Sequence, residues 1–247
     1  NGFDFSATYS FGDAFILYDQ TSSQNSSNWR GQPTVNGKNA PKSVGRSLFS
    51  QGHRVIANLS YEINWNNNLR TQIGLFYSGT EGQPYSYTYR DGADLLNDDS
   101  RDNALIYVPA SQSEITLEDP SNWSALNSFI ENNDYLSERR GDYVEKNDTR
   151  GPWTDIVDLR FVQDLIVSKN KLQFTFDIFN FTNFINQDWG RRYFVGSFGF
   201  AQPLRTVTAG PDPVFRFQEG SDDPRITDFG FSGSRWRAQI GIRYTFK

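Results

Sequence analysis

Apolar and polar residues alternate with period two over six stretches of this chain, and each alternation predicts a β-strand with one apolar and one polar face. The first is FDFSATYSF, with Phe3, Phe5, Ala7, Tyr9 and Phe11 on one side. The second is VIANLSYEINW, with Val55, Ala57, Leu59, Tyr61, Ile63 and Trp65 opposed by Asn58, Ser60, Glu62 and Asn64. The third, LRTQIGLFY, aligns Leu69, Ile73, Leu75 and Tyr77. The fourth, IVDLRFVQDLIV, sets Val157, Leu159, Phe161, Leu165 and Val167 against Asp158, Arg160 and Asp164. The fifth, LQFTFDIF, sets Leu172, Phe174, Phe176 and Ile178 against Gln173, Thr175 and Asp177. The last, RWRAQIGIRYTFK, places Trp236, Ala238, Ile240, Ile242, Tyr244 and Phe246 opposite Arg235, Arg237, Gln239, Arg243 and Thr245.

The links between these strands are unequal. Asn66, Asn67 and Asn68 join the second strand to the third, and Ser168, Lys169 and Asn170 join the fourth to the fifth. Both are rich in turn-forming residues and predict tight hairpins. Residues 13–50, 80–152 and 185–234 form three long connections. In an antiparallel arrangement the short turns then share one end and the long loops the other. Outer-membrane barrels have this polarity, with short periplasmic turns and long extracellular loops. Lipid forbids unpaired strand edges, and six strands are too few to close a membrane barrel. The expected fold is therefore all-β: a piece of an antiparallel up-and-down transmembrane β-barrel, completed by strands outside residues 1–247. The abrupt start at NGFDF, with no signal peptide, fits that reading.

Composition narrows the alternatives. Aromatic residues make up 16% of the chain while the mean hydropathy is −0.64. That combination suits a barrel, in which only every second residue faces lipid, and equally a soluble sugar-binding β-sandwich. The net charge is −5, which argues against nucleic acid as a partner. There is no cysteine and one histidine, so disulfides, thiolate chemistry and multi-histidine metal sites are excluded. No cofactor is expected.

Candidate chemistry lies in the loops. Asp91, Asp94, Asn97, Asp98, Asp99 and Asp102 offer the hard oxygen ligands that calcium prefers, with Asp94, Asp98 and Asp99 as a weak candidate set, but EF-hand spacing is absent, a solvated acidic loop is the ordinary reading of such a run, and no metal is expected. The sequence PYSYTY puts Tyr85, Tyr87 and Tyr89 on one side of an extended segment. With Trp123 they could stack on a sugar or peptide, although an aromatic girdle or loop packing is the commoner reason for such a row. His53 and Ser50 carry no catalytic motif around them, so no enzyme is expected.

Five stretches, TSSQNSSNWRG (21–31), GQPYSYTY (82–89), ALIYVP (104–109), LQFTFDIFNFTNFINQDWG (172–190) and RWRAQIGIRYTFK (235–247), make the chain resemble the C-terminal part of a TonB-dependent outer-membrane receptor of the SusC/Oar-like kind. The resemblance implies that these are about the last six strands of a 22-stranded barrel in the outer membrane of a Gram-negative bacterium. It implies a plug and a TonB contact in the absent N-terminal region, the lipid bilayer as surroundings, and a SusD-like surface lipoprotein as a further partner. It implies import of a bulky nutrient such as a glycan, a peptide or a chelate. The final strand would carry the assembly signal and the lipid face through Trp236, Ile240, Ile242, Tyr244 and Phe246; a Lys247 after the terminal aromatic departs from the family pattern. A soluble carbohydrate-binding sandwich and a barrel serving as scaffold in a surface complex remain the alternatives.

Overall fold

The computed structural model describes residues 2–40, 44–90, 92–195, 199–220, 225–226 and 233–246. Asp91 and Lys247 lie outside them. The chain is mostly β, with antiparallel sheets predominating. All six expected strands form: β1 (Gly2–Gly12), β2 (Gly52–Asn66), β3 (Leu69–Thr80), β4 (Thr154–Val167), β5 (Asn170–Phe179) and β6 (Arg237–Thr245). They make one sheet in chain order, every neighbouring pair antiparallel. Among the described residues β1 and β6 do not pair with each other, so the sheet is open.

Register shows why the pattern specifies this sheet. Phe3, Tyr61, Ile73, Phe161, Phe176 and Ile240 are successive cross-strand partners, one from each strand. The next row joins Phe5, Leu59, Leu75, Leu159, Ile178 and Ala238. A slip of one residue would turn the apolar side chains of a strand to the opposite face and set residues such as Asp4, Gln72 or Arg160 among these rows. Much of this face is open: Phe3 is 75% exposed, Ile240 66%, and Ile73, on a central strand, still 40%. The tight turns close as expected. The Asn68 amide donates to Asn66 Oδ1 (2.8 Å), and Ser168 takes the left-handed conformation that a two-residue turn requires.

Two departures from simple alternation have local causes. Gln163 stands on the apolar side of β4. Its Nε2 donates to the Arg70 carbonyl (2.9 Å) and its Oε1 accepts from Thr71 Oγ1 (2.6 Å). Thr71 in turn accepts from Trp65 Nε1 at 2.8 Å, so a closed polar trio replaces apolar packing near the turns. Ile156 and Val162 stand on the polar side of the same strand and are buried there.

The three long connections fold together into a second region, here called the head. Its core holds Tyr85, Tyr87, Tyr89, Leu105, Ile106, Val108, Leu126, Ile130, Leu136, Leu204 and Phe215. Short segments far apart in sequence are stitched side by side. Phe200–Ala201 runs parallel to Ser86–Tyr87, Val214–Phe215 runs parallel to Thr116–Leu117, and Thr34 bridges Ala104. The helix Trp123–Glu131 follows directly on a 3-10 turn, Pro120–Asn122, which Asp119 caps and Pro120 opens. It presses Leu126 and Ile130, four residues apart, into this core. No helix among the described residues is long and apolar enough to cross a membrane.

Candidate functional site

The polar face of the sheet carries the densest constellation of functional groups. Near the tight turns Asp164 is almost fully buried and is held from both neighbouring strands. It accepts from Arg70 Nε (3.0 Å) and Nη2 (2.5 Å) on β3 and from Gln173 Nε2 (2.8 Å) on β5, and it pairs with Lys171 Nζ at 2.7 Å. Arg70 also reaches Glu62 on β2 at 3.3 Å. Halfway along the strands the packing opens into a cavity of about 440 Å³. Gly74 forms its floor, between Ser60 on β2 and Arg160 on β4. Asn58, Phe76 and Asp158 make the row above it, and Phe179 and Asp177 of β5 close one side. Arg160 pairs with Asp177 at 3.4 Å. Asp158 accepts the Asn180 amide at 2.8 Å, and Asn180, left-handed and buried, donates to the carbonyls of Gly190 and Ser234. One wall of the cavity is thus tied to the loop between β5 and β6.

A polar neck joins sheet to head. Arg150 Nη2 donates to Ser50 Oγ (2.8 Å) and Nη1 to the carbonyls of Ser50 and Gly82. Arg46 bridges Asp13 and Asp148, each at 3.0 Å. The Ser50 hydroxyl and the Arg46 guanidinium hold the Asp13 carboxyl below its usual range despite some desolvation. Above them Lys146 and Asp19 form a buried ion pair at 2.9 Å. Asp19 also accepts from Ser47 Oγ, the Leu48 amide and Asn147 Nδ2, which satisfies its remaining lone pairs.

The tyrosines proposed as ligand contacts sit elsewhere. Tyr85, Tyr87 and Tyr89 are 7%, 1% and 7% exposed and line the head core. Tyr87 stacks on Tyr135 and accepts from Asn133 Nδ2 at 2.8 Å; Tyr89 stacks on Phe215 at 4.7 Å. Burial raises the Tyr89 hydroxyl far above its ordinary value and pushes Tyr135 up to about 12. Trp123, half-buried, packs against the same core. The rings of Tyr85, Tyr87 and Tyr89 are thus covered by protein and serve packing, while Trp123 keeps part of its surface open.

The described carboxylates of the acidic loop bind its own backbone and that of a neighbouring loop. Asp94 Oδ2 accepts the Asp99 amide (2.7 Å), while Asp98 caps the amides of Lys38 (2.5 Å) and Ser100 (2.8 Å). Among the described residues no three acidic or histidine side chains gather in a way that could hold a metal ion. Burial raises the Asp98 carboxyl, but those two amides and the Asn103 side chain outweigh it and hold it below the usual carboxylate range.

Trp236, Ile240, Ile242, Tyr244 and Phe246 are all exposed along the apolar side of β6 and its flanks. His53 also stands on the apolar side, opposite Phe11, and its Nδ1 lies 2.7 Å from the Tyr9 hydroxyl. The cavity residues Gly74, Phe76 and Phe179 were not singled out from sequence. Their signal was modest: a glycine and two aromatics on positions whose parity belongs to the polar face. No family model, no curated protein and no solved structure matches this chain.

Proposed function

We propose that this chain forms part of the wall and the outer loops of a TonB-dependent receptor, which imports a bulky nutrient across the outer membrane of a Gram-negative bacterium. The observation that carries the reading is the pair of apolar rows crossing all six strands and left largely uncovered. Soluble monomers rarely expose contiguous apolar patches beyond a few hundred Å². In lipid the same surface is at home. On β2 the outward residues from Val55 to Trp65 span about the 9–11 residues a tilted membrane strand needs. Tyr9, Tyr77 and Trp153 mark the loop end, and Trp65, Tyr244 and Phe246 the turn end, in the manner of two interfacial girdles.

In this reading the polar face looks into the lumen, the head meets ligand outside the cell, and an N-terminal plug gates the path under energy from TonB. The remaining strands, the plug, TonB and a surface lipoprotein are the partners. A β-sandwich is less well supported, since it would bury the apolar face against a second sheet and no such layer forms among the described residues.

Residues 1–247 contain no cysteine, so with any cysteine elsewhere in the protein replaced by serine a single introduced thiol gives a clean test. In the full-length protein in cells, Ile73→Cys is expected to react only with a lipid-soluble maleimide and Gln72→Cys with a water-soluble one. Equal labelling of both by the water-soluble reagent sinks the membrane assignment. Loss of uptake on deletion of TonB separates a transporter from a scaffold.

A further inference from the structure

We infer that an exposed apolar ridge on the neck is the docking surface for the strand that pairs with β1 in the full-length protein, and that this strand runs on past the bilayer to cover it. The step rests on the barrel reading and adds to it a contact between wall and head. Phe15, Ile16, Leu17, Val44 and Phe49 make the ridge, with Phe15 59% and Phe49 68% exposed. Backbone pairing brings them together. Phe15 and Ile16 stand opposite Arg46 and Gly45, and the Ser47 amide donates to the Ala14 carbonyl at 2.8 Å.

Lipid does not account for the ridge. From Val55 to Trp65, β2 rises about 33 Å along its own axis. At a tilt of about 40° that is about 25 Å along the bilayer normal, the full height of a lipid-facing band. Tyr9 stands opposite Val55, so Phe15 and the residues after it lie past the band. Water does not account for it either, because contiguous large apolar groups left in water mark a surface that something covers.

The free backbone edge selects the occupant. One edge of β1 pairs with β2, and the pairing of Phe15–Ile16 with Gly45–Arg46 carries the same hairpin upward. Along the other edge neither segment has a strand partner among the described residues. A strand in lipid cannot leave that edge unpaired, so a further strand lies along β1. Continued a few residues beyond Gly12, its backbone meets the free edge of Phe15–Ile16, and its side chains lie beside the ridge. Main-chain hydrogen bonds give such an added strand its affinity, and alternate apolar side chains its fit. Arg46, over the Phe15 ring at 5.8 Å, is already paired with Asp13 and Asp148. A charged partner therefore gains nothing from it, whereas an apolar one buries the ridge.

Photocrosslinking of the full-length protein in the outer membrane tests this. Phe49 is replaced by the photoreactive p-benzoylphenylalanine, and after irradiation the linked peptides are identified by mass spectrometry. Position 49 is expected to join a segment upstream of residue 1 in the same polypeptide. A link to a second polypeptide, a link to a glycolipid, or no link at position 49 overturns the inference. Phe49→Asp gives an independent reading. On an open surface it would be neutral, whereas beneath a covering strand it is expected to speed tryptic cleavage of the head about tenfold. An unchanged rate overturns the inference as well. Heat-modifiable migration on gels reads the barrel separately. If the unaltered protein lacks it, the underlying barrel reading falls; if it is present and position 49 finds no upstream segment, only the role of the ridge falls.

Discussion

The sheet and the head solve opposite burial problems with the same twenty side chains. In the head, aromatic and aliphatic groups turn inward, as with Tyr87 and Leu126, both 1% exposed. In the sheet they turn outward, while an ion cluster around Asp164 occupies the sheltered side. The difference teaches that hydrophobicity alone does not assign a residue to a core: its strand parity, and the medium that parity faces, decide.

The comparison can be broken most forcefully in the head and its neck. Lys146→Ala leaves Asp19 buried without its cation and is expected to destabilise the head by about 3–5 kcal/mol, read as faster hydrogen exchange of the head amides. Tyr87→Ala should do comparable damage, about 3–5 kcal/mol, by emptying the centre of that core. Ile73→Ala in detergent should lose clearly less, and equal losses would erase the distinction between the regions.

Next comes the wall. Ile73→Arg should lower stability in lipid vesicles by about 2–4 kcal/mol, whereas Gln72→Arg on the other face should change it little. The comparison fails if urea unfolding shows both substitutions to be neutral. Tyr87→Phe keeps the ring but strands the Asn133 amide, and should weaken the head by about 1 kcal/mol.

The smallest expected effect is a dependence on pH. The folded carboxyl of Asp98 titrates below its unfolded value near 3.8. Its contribution is therefore present above that pH and is lost as pH falls through the folded value. Acidification below about pH 4 should loosen the attachment of residues 34–38 to the acidic loop in the native protein, and Asp98→Asn should remove that response. Proteolysis of the loop across pH 3–6 measures it, and identical pH profiles for both proteins would refute the assignment.

The sheet was legible in sequence because its signal repeats: each strand carries several alternations, and rows such as Phe5 to Ala238 follow once the turns at Asn67–Asn68 and Ser168–Lys169 set the register. The head was not legible, because its strands are two to five residues long and its contacts lie between loops. An extended PYSYTY with three tyrosines on one side was read correctly as a shape. Whether that side meets a ligand or Phe215 and Tyr135 is not encoded locally. The acidic run was equally ambiguous, since a carboxylate that caps amides and one that binds calcium share the same composition. The cavity stayed hidden because it arises from an omission: Gly74 contributes no side chain among neighbours that do.

The parallel pairing of Phe200–Ala201 with Ser86–Tyr87 bears on how such a molecule is made. Gln202 reaches back to Thr88 across 114 positions of sequence. Contacts that distant form late, because the intervening chain must first be brought together. The head core cannot mature while residues 13–50 and 80–152 emerge alone, since its final strands arrive only with residues 200–217. Until the third connection arrives, the aromatic residues of the first two have only part of their final core to pack against, so the order of the sequence itself sets the order in which the head can close.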